Sequence, residues 1–367
     1  MKGVVLAGGR ATRLRPITHT MTKHLIPLAN KPILFYALEA LAAAGIKDVG
    51  VIVGRAHPDY PGSLDTSREV MEAVGDGSRW GMSISYIEQD APRGIAHAVL
   101  TAKDFVGDDA FVTFLGDNFL AGGIQDFVRE FEQTQPNALI LLCRVPNPQD
   151  FGVAVLDGDR VVKLVEKPKQ PPTDLALVGV YLFDHHVFDS IQRLKPSSRG
   201  ELEITDAIQG LVDAGLQVRS HTVKGWWKDT GTLQDLLEAN RLVLDTLETK
   251  VEGEVDSDSQ TLGCVVVEQH AQVKASVLQG PVIVGKGSRL IGSIVGPYVS
   301  VHENVVIENT EVANSILMEG CALRGIRHKV RDSLVGKQAV VERAEGVLYS
   351  ADWHQLVLGD NSRVILA

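Results

Sequence analysis

The sequence predicts an α/β domain built on a mostly parallel sheet, followed by a short parallel β-helix. Three observations lead there. Short apolar runs alternate with helical patterns up to about residue 248. Residues 249–262, TKVEGEVDSDSQTL, are polar with scattered charge. Beyond them aliphatic residues recur at steps near six residues, and aromatics nearly vanish apart from Tyr298.

The first strand is Val4 to Ala7, and it runs into Gly8-Gly9. Then come Arg10, Arg13, Arg15 and Lys23, with Lys31 further on, and no acid occurs before Glu39 in a chain of net charge −10. A flexible loop after a strand, rich in cations and empty of acids, suits a ligand with several negative charges, phosphates above all. Two common phosphate loops are excluded. G-x-x-x-x-G-K-[ST] is not present at Gly8-Gly9-Arg10-Ala11-Thr12-Arg13. A G-x-G-x-x-G turn must open a helix, and Pro16 prevents one from starting directly.

Pro32 suits a helix N1 position, Ile33 to Ala44 carry apolar residues at helical spacing, and Gly45 is a stop. Val49–Val53, Ser83–Ile87, Ala110–Leu115 and Leu139–Cys143 read as strands, with a helix over Ile95–Phe105. Short apolar runs between helices indicate a parallel sheet covered on both faces, with ligands at the strands' carboxyl ends. The glycine-arginine loop and Asp117 both fall there. Val153–Leu156 and Arg160–Glu166 predict a hairpin turning at Asp157-Gly158-Asp159. Helical patterns return at Ile204–Ala214 and Leu233–Leu247. In the last region Val284-Gly285, Leu290, Val295-Gly296, Val301 and Ile307 mark the coils, less regularly after Ala313. A β-sandwich is the competing architecture there.

The first loop matches L-A-G-G-x-G-T-R-L, then a lysine ten residues after the arginine and a K-P pair. Leu6 to Leu14, Lys23 and Lys31-Pro32 carry the match. Ala11 stands where the pattern usually has glycine, at roughly 1 kcal/mol if that backbone needs a positive φ. With Arg15-Pro16-Ile17-Thr18-His19 and Asn30-Lys31-Pro32, the chain resembles the sugar-1-phosphate nucleotidyltransferases, most of all their long-form glucose-1-phosphate thymidylyltransferases.

The resemblance implies a Rossmann-like nucleotidyltransferase domain over 1–248, with a sugar-binding or lid subdomain at about 151–200. It implies a linker at 249–262, a left-handed β-helix over 263–343 and a tail over 344–367. It implies transfer of a nucleotidyl group from dTTP to glucose 1-phosphate, giving dTDP-glucose and pyrophosphate. Arg13 would stabilise the departing pyrophosphate, and Lys23 would contact the nucleotide phosphates. Leu6, Gly8, Gly9 and Gly94 would meet the nucleotide, and Gln89 would read the pyrimidine. Asp117 and Asp229 would hold Mg²⁺, with Asp117 counted among the catalytic groups. Glu166 would accept from sugar hydroxyls, Lys167 and Arg199 would hold the sugar phosphate, and the backbone of Gly152 would meet the sugar. Thr205 and Asp206 read as helix caps.

A UTP-dependent uridylyltransferase is the nearest alternative. Acyl transfer by the β-helix, using His270, His302 or His328, is another class, and a regulatory subunit without chemistry a third. Arg13, Lys23, Asp117, Lys167 and Asp229 are all retained, which speaks against the last. The acidic balance argues against nucleic acid as a partner, and no apolar run reaches the ~20 residues of a membrane span. Cys143, Cys264 and Cys321 are distant and odd in number, and no Cys or His spacing suggests zinc, so a cytoplasmic protein with buried thiols is expected. The β-helix lacks phosphate-binding wording and is expected to serve homo-oligomer contacts and stability.

Overall fold

The computed structural model describes residues 1–9, 12–59, 65–158, 160–343 and 353–366. Arg10 and Ala11 of the cationic loop, Asp159 of the hairpin and 344–352 of the expected tail lie outside these residues. In chain order the strands of the first part are β1 (Lys2–Leu6), β2 (Pro27–Leu28), β3 (Lys31–Pro32), β4 (Asp48–Gly54), β5 (Ser83–Gln89), β6 (Phe111–Leu115) and β7 (Asn118–Leu120). They continue with β8 (Ala138–Arg144), β9 (Gly152–Asp157), β10 (Arg160–Glu166), β11 (Leu175–Phe183), β12 (Val218–Thr222) and β13 (Trp227–Asp229). The helices are α1 (Ile33–Ala43), α2 (Ser67–Val74), α3 (Ile95–Thr101), α4 (Lys103–Val106), α5 (Gln125–Thr134), α6 (His186–Gln192), α7 (Ile204–Asp213) and α8 (Leu233–Leu244). None of them is long and apolar enough to cross a membrane.

Contacts divide the chain into two units, Met1–Arg10 with Ile33–Asp229, and Ala11–Pro32 with Thr230–Ala367. The division falls at Asp229 rather than near residue 248, because α8 and the segment 12–32 pack with the later strands.

In the first unit nine strands form one sheet, ordered β5-β4-β1-β6-β11-β8-β12-β10-β9. β5, β4, β1 and β6 are mutually parallel, β12 is parallel to β8, and β11 runs antiparallel to both β6 and β8. Successive residues of a strand face opposite sides, and the core follows that alternation. Val5, Val51 and Leu139 pack in one cluster with Leu34, Leu38 and Leu41 of α1. Val4, Ile52 and Ile140 pack in another with Ala96 and Val99 of α3 and Ile204 and Ile208 of α7. Each such fully buried Leu or Ile contributes about 1.5–3 kcal/mol, so the α1 stripe alone is enough to dock that helix.

The predicted hairpin is β9–β10, antiparallel, with a bulge between Val161 and Lys163. It edges the main sheet rather than forming a sheet of its own. The helix read over Ile95–Phe105 is two pieces, α3 and α4, meeting at Ala102.

In the second unit three parallel sheets of seven, seven and six strands stack as a left-handed β-helix. Val267, Val284, Val301, Leu317 and Val335 form one inward ladder, all fully buried. Leu290, Ile307, Leu323 and Val341 form a second, and Leu278, Val295, Val312 and Val330 a third. Hydroxyls satisfy buried corner amides: Ser276 Oγ accepts from Ser293 N (3.0 Å), and Ser293 Oγ from Thr310 N (3.2 Å). The expected linker at 249–262 is instead the first coil, with strands Lys250–Val251, Glu254–Val255 and Gln260–Leu262. Its outward residues are mostly polar, with Val251 and Leu262 exposed among them. The expected tail supplies strands Val357–Leu358 and Arg363–Leu366, which pair with Leu334–Val335 and Val340–Arg343. The irregularity after Ala313 is a longer step in the coil, Ala313 pairing with Arg331, and the sheets run on through it.

Candidate active site

Because β1, β4, β5 and β6 are parallel, their carboxyl ends share one edge of the first unit. Leu6 pairs there with Ile52 and Leu115, and Gly54 pairs with Gln89. Gly8 comes next, and a Cβ on it would lie 3.3 Å from Gly54 N and 3.7 Å from Gln89 Oε1. Gly9 has φ +140°, open to glycine and rare for other residues.

Gln89 is buried and oriented. Its Nε2 donates to His97 Nδ1 (3.0 Å) and Gly94 O (3.4 Å), which leaves Oε1 toward the Gly8 turn. His97 Nδ1 must then accept, so the neutral ring carries its proton on Nε2, 3.5 Å from Asp90 Oδ1. Burial holds the His97 pKa below its ordinary value, against the pull of Asp90. An outward oxygen is an acceptor for the N3–H of thymine or uracil, which cytosine lacks. Gly94, expected to meet the nucleotide, is required by packing: its φ is +107°, and a Cβ would meet Leu202 O at 2.5 Å.

Asp117 follows β6, half-buried, and its Oδ1 accepts from Asn118 Nδ2 (2.9 Å). Asn118 Oδ1 in turn accepts from Trp227 Nε1 (2.7 Å) and Gly179 N (3.1 Å). β7 pairs with β13 so that Asn118 faces Asp229. Asp229 on β13 is thereby brought opposite Asn118, the residue that follows Asp117 in the turn before β7. Asn118 went unread in the sequence because its partners lie far along the chain.

Asp229 and Asn118 line a cavity of about 120 Å³ with Gly152, Glu166, Lys167 and Tyr181. It is small for an organic ligand of ordinary size. Glu166 Oε2 accepts from Thr205 Oγ1 (2.6 Å) and Oε1 from Arg199 NH2 (3.0 Å), with Lys167 Nζ at 3.9 Å. Burial raises the Glu166 pKa, and the Thr205 hydrogen bond works the other way. Gly152 is excluded from being larger, since a Cβ would lie 2.5 Å from Thr205 Oγ1. Lys167 sits at φ +40°, and its N–H donates to Phe151 O (3.0 Å). Thr205, read as a cap, is thus a wall of this cavity, and α7 has no side-chain cap at Glu203. Arg199 is held by Glu203 (2.8 Å) and Glu201 (3.6 Å) besides Glu166, so as a phosphate clamp it must exchange carboxylates for phosphate.

Arg13 and Lys23 belong to the second unit. Arg13 is exposed in the turn Thr12–Leu14, whereas Lys23 opens the turn Lys23–Leu25 at only 8% exposure. A lysine so buried is rare unless its charge is paired. Of the β-helix histidines, His270 is exposed at a corner, and His302 and His328 are half-buried on different coils. One further donor set occurs among the described residues, Asp184, His185 and His186. It sits at the start of α6, with Asp184 accepting from His186 N (3.0 Å) and Asn137 Nδ2 (2.8 Å).

A model of the nucleotidyl transferase family matches residues 2–246. The chain belongs to that family. As a nucleotidyltransferase it is similar along its whole length to a glucose-1-phosphate thymidylyltransferase of Streptomyces griseus, 50% identical over 364 residues and 99% of both chains. It is 46% identical over 369 residues, all of both chains, to the low-salt glycan biosynthesis nucleotidyltransferase Agl11 of Haloferax volcanii. Among solved structures it resembles a Bacillus anthracis protein assigned as a glucose-1-phosphate thymidylyltransferase, in complex with sucrose. That likeness has TM-score 0.62 and 38% identity, over 68% of this chain and 98% of the other.

Proposed function

We propose that this nucleotidyltransferase joins dTTP and glucose 1-phosphate to give dTDP-glucose and pyrophosphate. The observation that carries it is the cavity where Glu166 and Lys167, at the end of β10 in the main sheet, meet Asn118 and Asp229 of the separate two-stranded β7–β13 pair. A carboxylate that binds hydroxyls, an ammonium beside it and an acid suited to a cation are what a sugar phosphate needs. The full-length relative's name supports dTTP as the partner.

In this reading a phosphate oxygen of glucose 1-phosphate attacks the α-phosphorus of dTTP. The bond to the bridging oxygen breaks, and its electrons leave with pyrophosphate. The nucleophile is already anionic, since a phosphate monoester has its second pKa near ~6, so no general base is needed. Catalysis is then positioning and charge. Glu166 orients the hexose, Lys167 holds its phosphate, and Arg199 joins once phosphate replaces its carboxylates. Gln89 Oε1 accepts from the base, and the Gly8-Gly9 amides admit the triphosphate. Arg13 and Lys23 offset charge on the leaving group. Asp117 and Asp229 fit Mg²⁺, which takes one or two carboxylates plus substrate oxygens, and the Asn118 bond fixes one of them. Mg²⁺ held there would neutralise phosphate charge. The three free cysteines, with burial pushing Cys321 up to about 12, suit a reducing cytoplasm.

Pyrophosphate release with glucose 1-phosphate across dTTP, UTP, CTP and ATP tests this. dTTP should lead, with UTP behind by the ~1 kcal/mol of one methyl group, and CTP should be rejected. UTP equal to or above dTTP would overturn the base assignment. No release with any of them would overturn the reaction.

A further inference from the structure

We propose that the β-helix and α8 form the mould that fixes the cationic segment 12–32, with Asn30 and Asn240 as positioning residues for nucleotide turnover. The inference rests on the nucleotide role given above to Arg13 and Lys23.

The segment has little structure of its own. It consists of three 3₁₀ turns, Thr12–Leu14, Ile17–His19 and Lys23–Leu25, and the two-residue strands β2 and β3. Single 3₁₀ turns have poor hydrogen-bond geometry and do not hold a position alone. A cation that must meet a phosphate in one geometry therefore has to be fixed from outside the segment.

The second unit supplies that fixing at two points on either side of Lys23. At the far end, β2 and β3 turn through Ala29 and Asn30 at φ +43° and +65°. Both sit in the left-handed region, which alanine avoids, and such a turn persists only where its surroundings enforce it. Asn240 of α8, 1% exposed, does so: its Oδ1 accepts from Ala29 N (2.8 Å) and from Ser300 Oγ (2.7 Å). One oxygen thus joins the turn, the helix and a coil strand. Asn30 Nδ2 adds a bond to Val301 O (2.8 Å) on the same strand. α8 is anchored next door, where Arg241 Nε donates to Asn314 Oδ1 (2.7 Å) and its guanidinium lies 5.2 Å from the Tyr298 ring.

At the near end the last coil takes hold. Thr20 Oγ1 donates to Asp360 Oδ2 (2.8 Å), and a Cβ on Gly359 would lie 3.4 Å from Pro16 O. Asp360 is itself fixed, its Oδ1 accepting from Lys337 N (2.9 Å). The segment between these clamps has its conformational freedom removed before any nucleotide arrives. The β-helix is in this way part of the apparatus for binding the triphosphate, although it contributes none of the groups that touch it.

The test uses the full-length protein with Asn30→Gly and Asn240→Ala. Glycine keeps the left-handed turn and removes only the bond to Val301, so Asn30→Gly decides should Asn240→Ala fail to fold. Turnover, both KM values, melting temperature and amide exchange of 12–32 are measured. Each variant should lose about ten- to a hundredfold in kcat/KM for dTTP, with KM for glucose 1-phosphate held within about twofold. Exchange in 12–32 should quicken while the melting temperature stays. Unchanged dTTP kinetics despite faster exchange would overturn the inference. Equal rises in both KM values with a lower melting temperature would also overturn it, since that is a merely structural role. Lys23→Ala separates the levels. If it abolishes dTTP turnover and the asparagine variants do not affect it, the positioning idea alone fails. If it changes nothing, the role of Lys23 fails and takes the inference with it.

Discussion

Asp117 and Asp229 are held differently, and their variants report different things. The Asp117 carboxylate is braced by Asn118, whose other bonds run to Trp227 and Gly179. Asp117→Asn and Asp229→Asn each remove one negative donor while keeping shape. Both should lower Mg²⁺-dependent turnover by about two orders of magnitude or more, with unchanged melting temperature. Near-normal turnover in both would remove the metal assignment. Glu166 carries the pH dependence. Its pKa is raised, so this group favours the fold below the ordinary carboxylate value and contributes less as pH rises through the raised one. Binding runs the other way, because only the carboxylate accepts from hydroxyls. KM for glucose 1-phosphate should climb as pH falls through that raised value. The substrate's own titration near ~6 adds to this, and Thr205→Val separates them. It deletes the hydrogen bond that pulls the Glu166 pKa down, so the climb should begin at higher pH than in the unaltered protein. Superimposable KM profiles would remove Glu166 from sugar binding.

At the scale of elements, what could be read in the sequence was periodic or local. β1, β4, β6 and β8 showed as apolar runs, and α1 showed by its Leu34, Leu38 and Leu41 spacing. The first coil of the β-helix did not show, because strands of two or three residues with one buried side, such as Glu254–Val255, leave no period to detect. The cavity was half legible. Glu166 and Lys167 stood out as a motif, whereas Thr205 looked like a cap until β10 and α7 were brought together. Gly94 carries a packing demand in addition to its expected role. It was read as a nucleotide contact, and its backbone is demanded by Leu202, which lies across from the start of α3. Gly94→Ala places a methyl group against backbone at φ +107° and should destabilise by roughly 1–3 kcal/mol. A thermal melt indistinguishable from that of the unaltered protein would show that α3 can move aside.

At the scale of the molecule, we propose two jobs for the β-helix that truncation after Leu247 would remove together. One is holding the cationic segment. The other concerns its outer surface, where Leu262 and Ile294 are 53% and 40% exposed on the third sheet. Ile294 pairs in register with half-buried Val277, and that aliphatic pair is bounded by Gln260 on one side and Glu311 on the other, with Leu262 two residues along from Gln260 and opposite Gln279. Single exposed aliphatics are ordinary, but a pair across neighbouring strands marks a surface that meets another. A second copy of the chain is the partner expected from a homo-oligomer. Ile294→Glu puts a charge on that aliphatic pair without touching the inward ladders. It should lower the mass seen by light scattering while leaving the melting temperature and KM for dTTP unchanged. Asn30→Gly should do the reverse, altering KM for dTTP at constant mass. An Ile294→Glu protein of unaltered mass would move the association to another face. If the mass fell and dTTP kinetics failed with it, the assembly itself would be holding the segment, and the two jobs would be one.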